Sequence, residues 1–156
     1  MNPERSRLLR QLLASQTVAA LGTLHDAEPF VSMVPFAMPP GGTDFFIHVS
    51  GLASHTADML AHPRVSLMVM ATQADSPQSR ARVTIQGDSM SLPPDADTYV
   101  AARACYLARF PDAEHIFELG DFTLFRIAPV RLRVVGGFGQ AFSSDAEDFA
   151  SAMRSV

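Results

Sequence analysis

Short apolar runs separated by tight polar turns constrain this chain more than any other feature of its sequence. Residues 17–24 are rich in apolar side chains and end at the polar turn 25–28, after which residues 30–38 form a second apolar run. Two such runs joined by a few polar residues are typical of an antiparallel hairpin. The Pro-Pro-Gly-Gly turn at 39–42 stops the second strand, and residues 44–49 are predicted to form the third.

The rest of the chain continues this alternation of short elements. Apolar residues at helical spacing, together with cap and breaker residues, predict helices at 3–15, 52–62, 93–109, 113–119 and 145–155. Extended runs predict three more strands, at 64–71, 81–90 and 121–135. Most connections are too short for the crossovers of a parallel sheet. The sequence therefore predicts a mainly β fold with short helices (α+β), a six-stranded antiparallel barrel.

Length and composition predict a single domain over residues 1–156. A chain of 156 residues with 47% apolar side chains can bury a core without disulfides or a structural metal. We place the barrel core at about 17–142 and a C-terminal helix at about 144–155. Ser144 and Glu147 have the spacing of a capping box and are predicted to start that helix.

Charge and the length of the apolar runs exclude several classes of function. The formal net charge is -4, which argues against nucleic-acid binding, and all 12 basic residues are Arg, which excludes a Schiff-base lysine. The longest apolar runs, such as 65–71, are far shorter than the ~20 residues of a membrane helix. We therefore expect no nucleic-acid partner and no membrane partner. A single cysteine, Cys105, favours a cytoplasmic location.

Residues 47–56 combine a strand end, a small-residue turn and a helix start that is rich in hydroxyl groups. Backbone N–H groups in the first turn of a helix carry partial positive charge and attract anions. The side chains of Ser50, Ser54, His55 and Thr56 could complete such a site. One interpretation is phosphate binding, and the other is ordinary helix capping by Ser50 or Ser54.

The strand that begins at residue 82 offers a second candidate for anion binding. Arg82, Thr84 and Gln86 alternate along it and therefore share one face. If that face lines a pocket, Arg82 would present the fork of donors that a phosphate needs. The alternative is a face exposed to solvent.

No self-sufficient catalytic site is visible in the sequence. His55, Asp58 and His62 have the spacing of metal ligands on one helix face, but no other His or Cys cluster completes a shell, and we expect no bound metal. No Ser/His/Asp order stands out from chance, and no P-loop or G-x-G-x-x-G is present. If the protein is an enzyme, a bound cofactor is expected to supply its chemistry.

Six segments occur in a fixed order along the chain: 18–23 (VAALGT), 29–35 (PFVSMVP), 50–56 (SGLASHT), 63–67 (PRVSL), 82–87 (RVTIQG) and 135–139 (VGGFG). Together they resemble the flavin-binding split-barrel family that contains the pyridoxamine 5'-phosphate oxidases. Within this family the chain is most similar to the heme-utilisation (HugZ-type) branch, which shares the segment at 50–56, the Arg-x-Thr at 82–84, the YLARFP at 106–111 and the Gly-Gly-Phe-Gly at 136–139.

The resemblance implies a homodimer with FMN at its interface. It implies an FMN-dependent oxidoreductase that passes hydride or electrons between the flavin and a small-molecule substrate. The alternative is a non-enzymatic carrier or sensor of flavin or heme with the same fold. The cofactor-binding residues that it implies are Ser32, Met33, Val34, His48, Ser50, Ser54, His55, Thr56, Arg82 and Phe138.

Overall fold

The computed structural model describes residues 1–137 and 139–154, and one antiparallel sheet dominates it. Six of its strands lie within a few residues of their predicted positions because alternating apolar side chains pack on one face of a sheet. A seventh, at the C-terminal end, was not predicted. The strands are β1 Val18–His25, β2 Glu28–Pro35, β3 Phe45–Ser50, β4 Arg64–Met70, β5 Arg82–Leu92, β6 Phe122–Gly137 and β7 Gln140–Asp145.

The sheet curls until its two edge strands approach each other. Its strand order is β2-β1-β4-β5-β6-β3, with β7 paired to β6. The chain that leaves β2 forms an isolated antiparallel bridge to β3, between Ala37 and Phe46. The sheet is therefore a curled half-barrel, and the prediction of an antiparallel split barrel with short helices is confirmed.

Five α-helices lie among the described residues. Asn2 starts the first helix, since its Oδ1 accepts the backbone N–H of Arg5 at 2.9 Å. Within residues 1–137 and 139–154, no helix is both long enough and apolar enough to cross a bilayer. The helices are α1 Pro3–Ser15, α2 Ser54–Ala61, α3 Tyr99–Arg109, α4 Glu114–Phe117 and α5 Ala146–Arg154.

The core fills the inside of the curled sheet. Leu21 pairs with Leu67, and Leu67 pairs with Ile85, so that three neighbouring strands contribute one continuous row of side chains. All three are fully buried. The helices add further buried residues to this core: Leu9, Leu12 and Leu13 from α1, Met59 from α2 and Phe149 from α5.

The C-terminal segment differs from the prediction. Residues 140–145 pair with β6 as a hairpin, so Ser144 is a buried strand residue opposite Leu132. The predicted capping box of Ser144 and Glu147 is therefore wrong. Asp145 starts α5 instead, because its Oδ1 accepts the backbone N–H of Asp148 at 2.8 Å.

Candidate functional site

The turn between β3 and α2 uses two of its hydroxyl groups internally. The Thr56 hydroxyl donates to the Ser50 carbonyl at 2.6 Å, and the Ser50 hydroxyl accepts the backbone N–H of Leu52 at 3.1 Å. Ser54 lies exposed at the first position of α2, which follows Ala53 and has no side-chain cap. Capping by Ser50 or Ser54 is therefore wrong, and the two bonded hydroxyls stabilise the turn.

The predicted residues on β2 divide between its two faces. Met33 points outward and is 63% exposed, whereas Val34 is buried. Ser32 lies on the Val34 side, where its hydroxyl is 3.1 Å from Nδ1 of His55 on α2. Burial lowers the pKa of His55, so this imidazole is neutral at neutral pH. Phe138, another predicted site residue, lies outside the described residues.

Arg82 does not join the turn that holds Ser50. Ser50 pairs with Phe122 at one end of β6, whereas Arg82 pairs with Val135 near the other end. The Arg82 guanidinium braces the loop before β5, since Nη1 donates to two carbonyls, those of Arg80 at 3.0 Å and Gln78 at 3.3 Å. A single chain therefore does not assemble the predicted phosphate site from Arg82 and the α2 turn.

His48 belongs to an aromatic cluster on the outside of the barrel. Its ring stacks on Phe117 of α4, with centroids 3.7 Å apart and planes 7° apart, and Tyr106 and Phe122 pack nearby. Burial, assisted by the positive charge of Arg103, lowers the pKa of His48 to about 4. His48 is thus a neutral packing residue that holds the α3–α4 segment against β3.

A histidine–aspartate pair near α2 escaped the sequence analysis. Nδ1 of His25 donates to Asp58 at 2.8 Å, and the Thr23 hydroxyl donates to the other oxygen of the same carboxylate at 2.8 Å. Burial raises the pKa of Asp58, but the two hydrogen bonds together with the charges of His25 and His55 outweigh it and hold this pKa below its ordinary value. The hydrogen bond to Asp58 raises the pKa of His25.

These contacts also separate the three residues at metal-ligand spacing. Asp58 turns towards β1, while His55 turns towards β2 and His62 is exposed. Within residues 1–137 and 139–154, no three His, Cys, Asp or Glu side chains are grouped to hold a metal ion. The signal for the His25–Asp58 pair was the position of Asp58 beside Met59, on the part of α2 that packs on the core.

Exposed apolar side chains form a strip on the outer face of β2, β1 and β4, which we call the outer strip. Small residues lie among them, because Met33 pairs with Ala20 and Val31 pairs with Gly22. Contiguous apolar surface of this kind marks a ligand site or an interface. The strip consists of Val18 (43% exposed), Leu24 (40%), Val31 (69%), Met33 (63%), Met68 (38%) and Met70 (38%).

A basic cleft of about 390 Å³ lies beside the outer strip. Met68 of the strip pairs with Thr84 on β5, and Thr84 pairs with Arg133 on β6, so the strip and the cleft lie in one row. The alternation predicted for Arg82, Thr84 and Gln86 is confirmed, and Thr84 and Gln86 face outward into this cleft. Residues that line the cleft include Thr84, Gln86, Arg131, Arg133, Ser143 and Ser144.

A sequence profile described as pyridoxamine 5'-phosphate oxidase matches residues 7–136, which is most of the chain. The chain belongs to the pyridoxamine 5'-phosphate oxidase family. The predicted resemblance is therefore confirmed.

Two curated relatives of this family member are named for heme. The first is the non-canonical heme oxygenase HOZ, chloroplastic, of Arabidopsis thaliana. This chain is 35% identical to HOZ over 144 residues, which cover 89% of this chain and 42% of HOZ.

The second relative is heme oxygenase HutZ of Vibrio cholerae serotype O1. This chain is 30% identical to HutZ over 142 residues, which cover 89% of this chain and 77% of HutZ. Among solved structures, a heme binding protein from Mycobacterium smegmatis superimposes with a TM-score of 0.85 and 31% identity, over 97% of this chain and 62% of that one. The chain thus spans less than two thirds of the plant and mycobacterial proteins.

These relatives correct the expected cofactor and activity of this pyridoxamine 5'-phosphate oxidase family member. We expected FMN and an FMN-dependent oxidoreductase, but the Arabidopsis, Vibrio and Mycobacterium proteins are all named for heme. The FMN assignment and the flavin oxidoreductase assignment are therefore wrong. A family resemblance alone does not select the ligand, because function depends on the site and not on the fold.

Proposed function

We propose that this chain binds heme. The similarity to HutZ carries the proposal, since it reaches 30% identity over 142 residues and covers 77% of a protein named a heme oxygenase. The Mycobacterium protein, which is named a heme binding protein, supports it with 31% identity and a TM-score of 0.85. This proposal takes up the heme part of the alternative that the family resemblance offered, a non-enzymatic carrier or sensor of flavin or heme.

The outer strip and the basic cleft have the chemistry that heme requires. Heme is a broad apolar plate with two carboxylates at one edge. Apolar side chains such as Val31 and Met68 would cover the plate, and the adjacent arginines would receive the carboxylates. Heme iron accepts His or Met side chains as axial ligands, and the strip itself carries the thioethers of Met33, Met68 and Met70.

A second copy of the chain is the partner in this proposal. The outside of a curled sheet is convex, so one outer strip would cover only one side of a flat ligand. The other side of the ligand would remain exposed to water, and so would most of the outer strip. In a two-fold symmetric dimer, the outer strips of the two copies would face each other. The strips and both sides of the ligand would then be removed from water.

A heme titration followed by absorbance tests this function. We expect the wild-type chain to shift the Soret band with saturable binding, and we expect Met68→Glu to weaken binding by about tenfold or more, because it places a charge in the apolar surface. Val100→Glu is the matched control, since Val100 is 75% exposed on α3, outside the strip. A wild-type chain that leaves the heme spectrum unchanged would refute the proposal.

Heme degradation is a second candidate, because HOZ and HutZ are both named heme oxygenases. The assay is incubation of the heme-loaded chain with oxygen and ascorbate as the reductant. Loss of the Soret band with release of iron would establish the activity. Heme that stays intact and bound under these conditions would favour a carrier or sensor instead.

A further inference from the structure

Two arginines on β6 dominate the basic cleft. Arg131 and Arg133 lie two residues apart, so both side chains leave the strand on its outer face, about 7 Å apart along it. Both residues are exposed. Hydroxyl and amide groups surround them, from Thr84 and Gln86 on β5 and from Ser143 on β7.

The positive charge of this pair is not neutralised locally. Arg133 Nη1 donates to the Ser143 hydroxyl at 3.1 Å, which orients the guanidinium and leaves its charge unpaired. Arg131 lies opposite Asp145 in the β6–β7 register, but Asp145 accepts the backbone N–H of Asp148 at the start of α5. Among the described residues, no carboxylate lies within 4.0 Å of either guanidinium.

The cleft also continues directly from the apolar surface. Thr84 pairs with Met68 of the outer strip on one side and with Arg133 on the other. A ligand that lies on the strip and extends across β5 therefore reaches the two guanidiniums with one edge. The surface fits a molecule that is apolar over most of its area and carries two acidic groups at one edge.

The geometry points to Arg131 and Arg133 as a carboxylate clamp, which binds the two propionates of a porphyrin laid on the outer strip. Guanidinium and carboxylate match as paired donors and acceptors, and Arg keeps its charge at every physiological pH. This inference rests on the proposed heme binding. It adds that the site selects porphyrins with unmodified propionates.

The test compares hemin with hemin dimethyl ester, in which both propionates are blocked. We expect the wild-type chain to bind the ester at least about 10- to 100-fold more weakly than hemin, because that is the range for losing one hydrogen bond to a charged group and the ester loses two such groups. We expect the double variant Arg131→Gln/Arg133→Gln to bind hemin more weakly by a similar factor and to bind both ligands about equally. Arg7→Gln, which removes a charge on the exposed side of α1, should keep the wild-type preference.

The outcomes separate the clamp from heme binding itself. A wild-type chain that binds neither ligand overturns the proposed function, and the clamp with it. A wild-type chain that binds hemin and the ester equally overturns the clamp alone, and this comparison needs no variant. A double variant that keeps the tenfold or larger preference for hemin also overturns the clamp. Thermal unfolding of each variant confirms that it is folded.

Discussion

Met33→Glu should break the proposed dimer while leaving the fold of the single chain intact. Met33 lies on the outer strip and is 63% exposed, so a carboxylate at this position remains hydrated in an isolated chain. In a dimer that covers the strip, the same carboxylate would lose water without gaining a partner. The substitution therefore acts on association, and its effect on folding is small.

The size of the effect follows from the exposed area of Met33. Full burial of a methionine side chain is worth about 1.5–3 kcal/mol, and the 63% still exposed leaves about 1–2 kcal/mol for the interface. Two-fold symmetry counts the residue twice, which gives about 2–4 kcal/mol. The dimer Kd should then rise by about 30- to 700-fold, before any cost of dehydrating the carboxylate.

Sedimentation velocity over a series of concentrations measures this change. The wild-type chain and Val100→Glu should sediment as dimers at micromolar concentration, and Met33→Glu should sediment as a monomer with an unchanged thermal unfolding temperature. A wild-type monomer at these concentrations would refute the dimer. Equal association of Met33→Glu and the wild type would remove the outer strip from the interface.

Two further predictions concern stability. Leu67→Ala should lower the free energy of unfolding in urea by about 2–5 kcal/mol, because Leu67 is fully buried in the central core row. Leu60→Ala is the control, because Leu60 is 64% exposed, and it should change the free energy of unfolding little. Equal losses of unfolding free energy in Leu67→Ala and Leu60→Ala would contradict this account of the core. As the pH falls below 6.5, His48 becomes protonated in the unfolded chain but stays neutral in the folded protein, where its pKa is about 4. Protonation therefore stabilises the unfolded state relative to the folded state. The unfolding temperature of the wild type should therefore fall from pH 7 to pH 4, and that of His48→Phe should fall less steeply. Identical pH profiles for the two proteins would disprove this role of His48.

Local sequence signals were enough to predict most of the strands and helices. The run that became β5 begins with the alternating sequence RVTIQ, and the runs that became β1 and β4 are short, mostly apolar segments bounded by turn residues or a proline. The segment that became β7 carries only the weak pattern QAFSSD, and its pairing with β6 stabilises it as a strand. Ser144 therefore suited a helix start in the sequence and lies in a strand in the fold.

The candidate site was predicted less completely, because its parts are distant in sequence. Period-two alternation separates Met33 from Ser32 and Val34, but only the curled sheet decides which of them faces outward. The position of Asp58 on the core-facing part of α2 indicates that it is buried, but it does not identify His25, 33 residues away, as its partner. Arg82 and Ser50 lie near opposite ends of β6, so a site that looked compact in the list of motifs is divided in one chain.

The sequence by itself determined the antiparallel barrel and the family, because turn residues, apolar periodicity and ordered motifs are written along the chain. Tertiary structure alone decided that six separated apolar residues form one strip, and that Arg131 and Arg133 lie beside it. Strand register creates these neighbours, and register depends on the packing of the whole sheet. Local chemistry specifies the elements, whereas a surface for a ligand exists only after distant strands have been aligned.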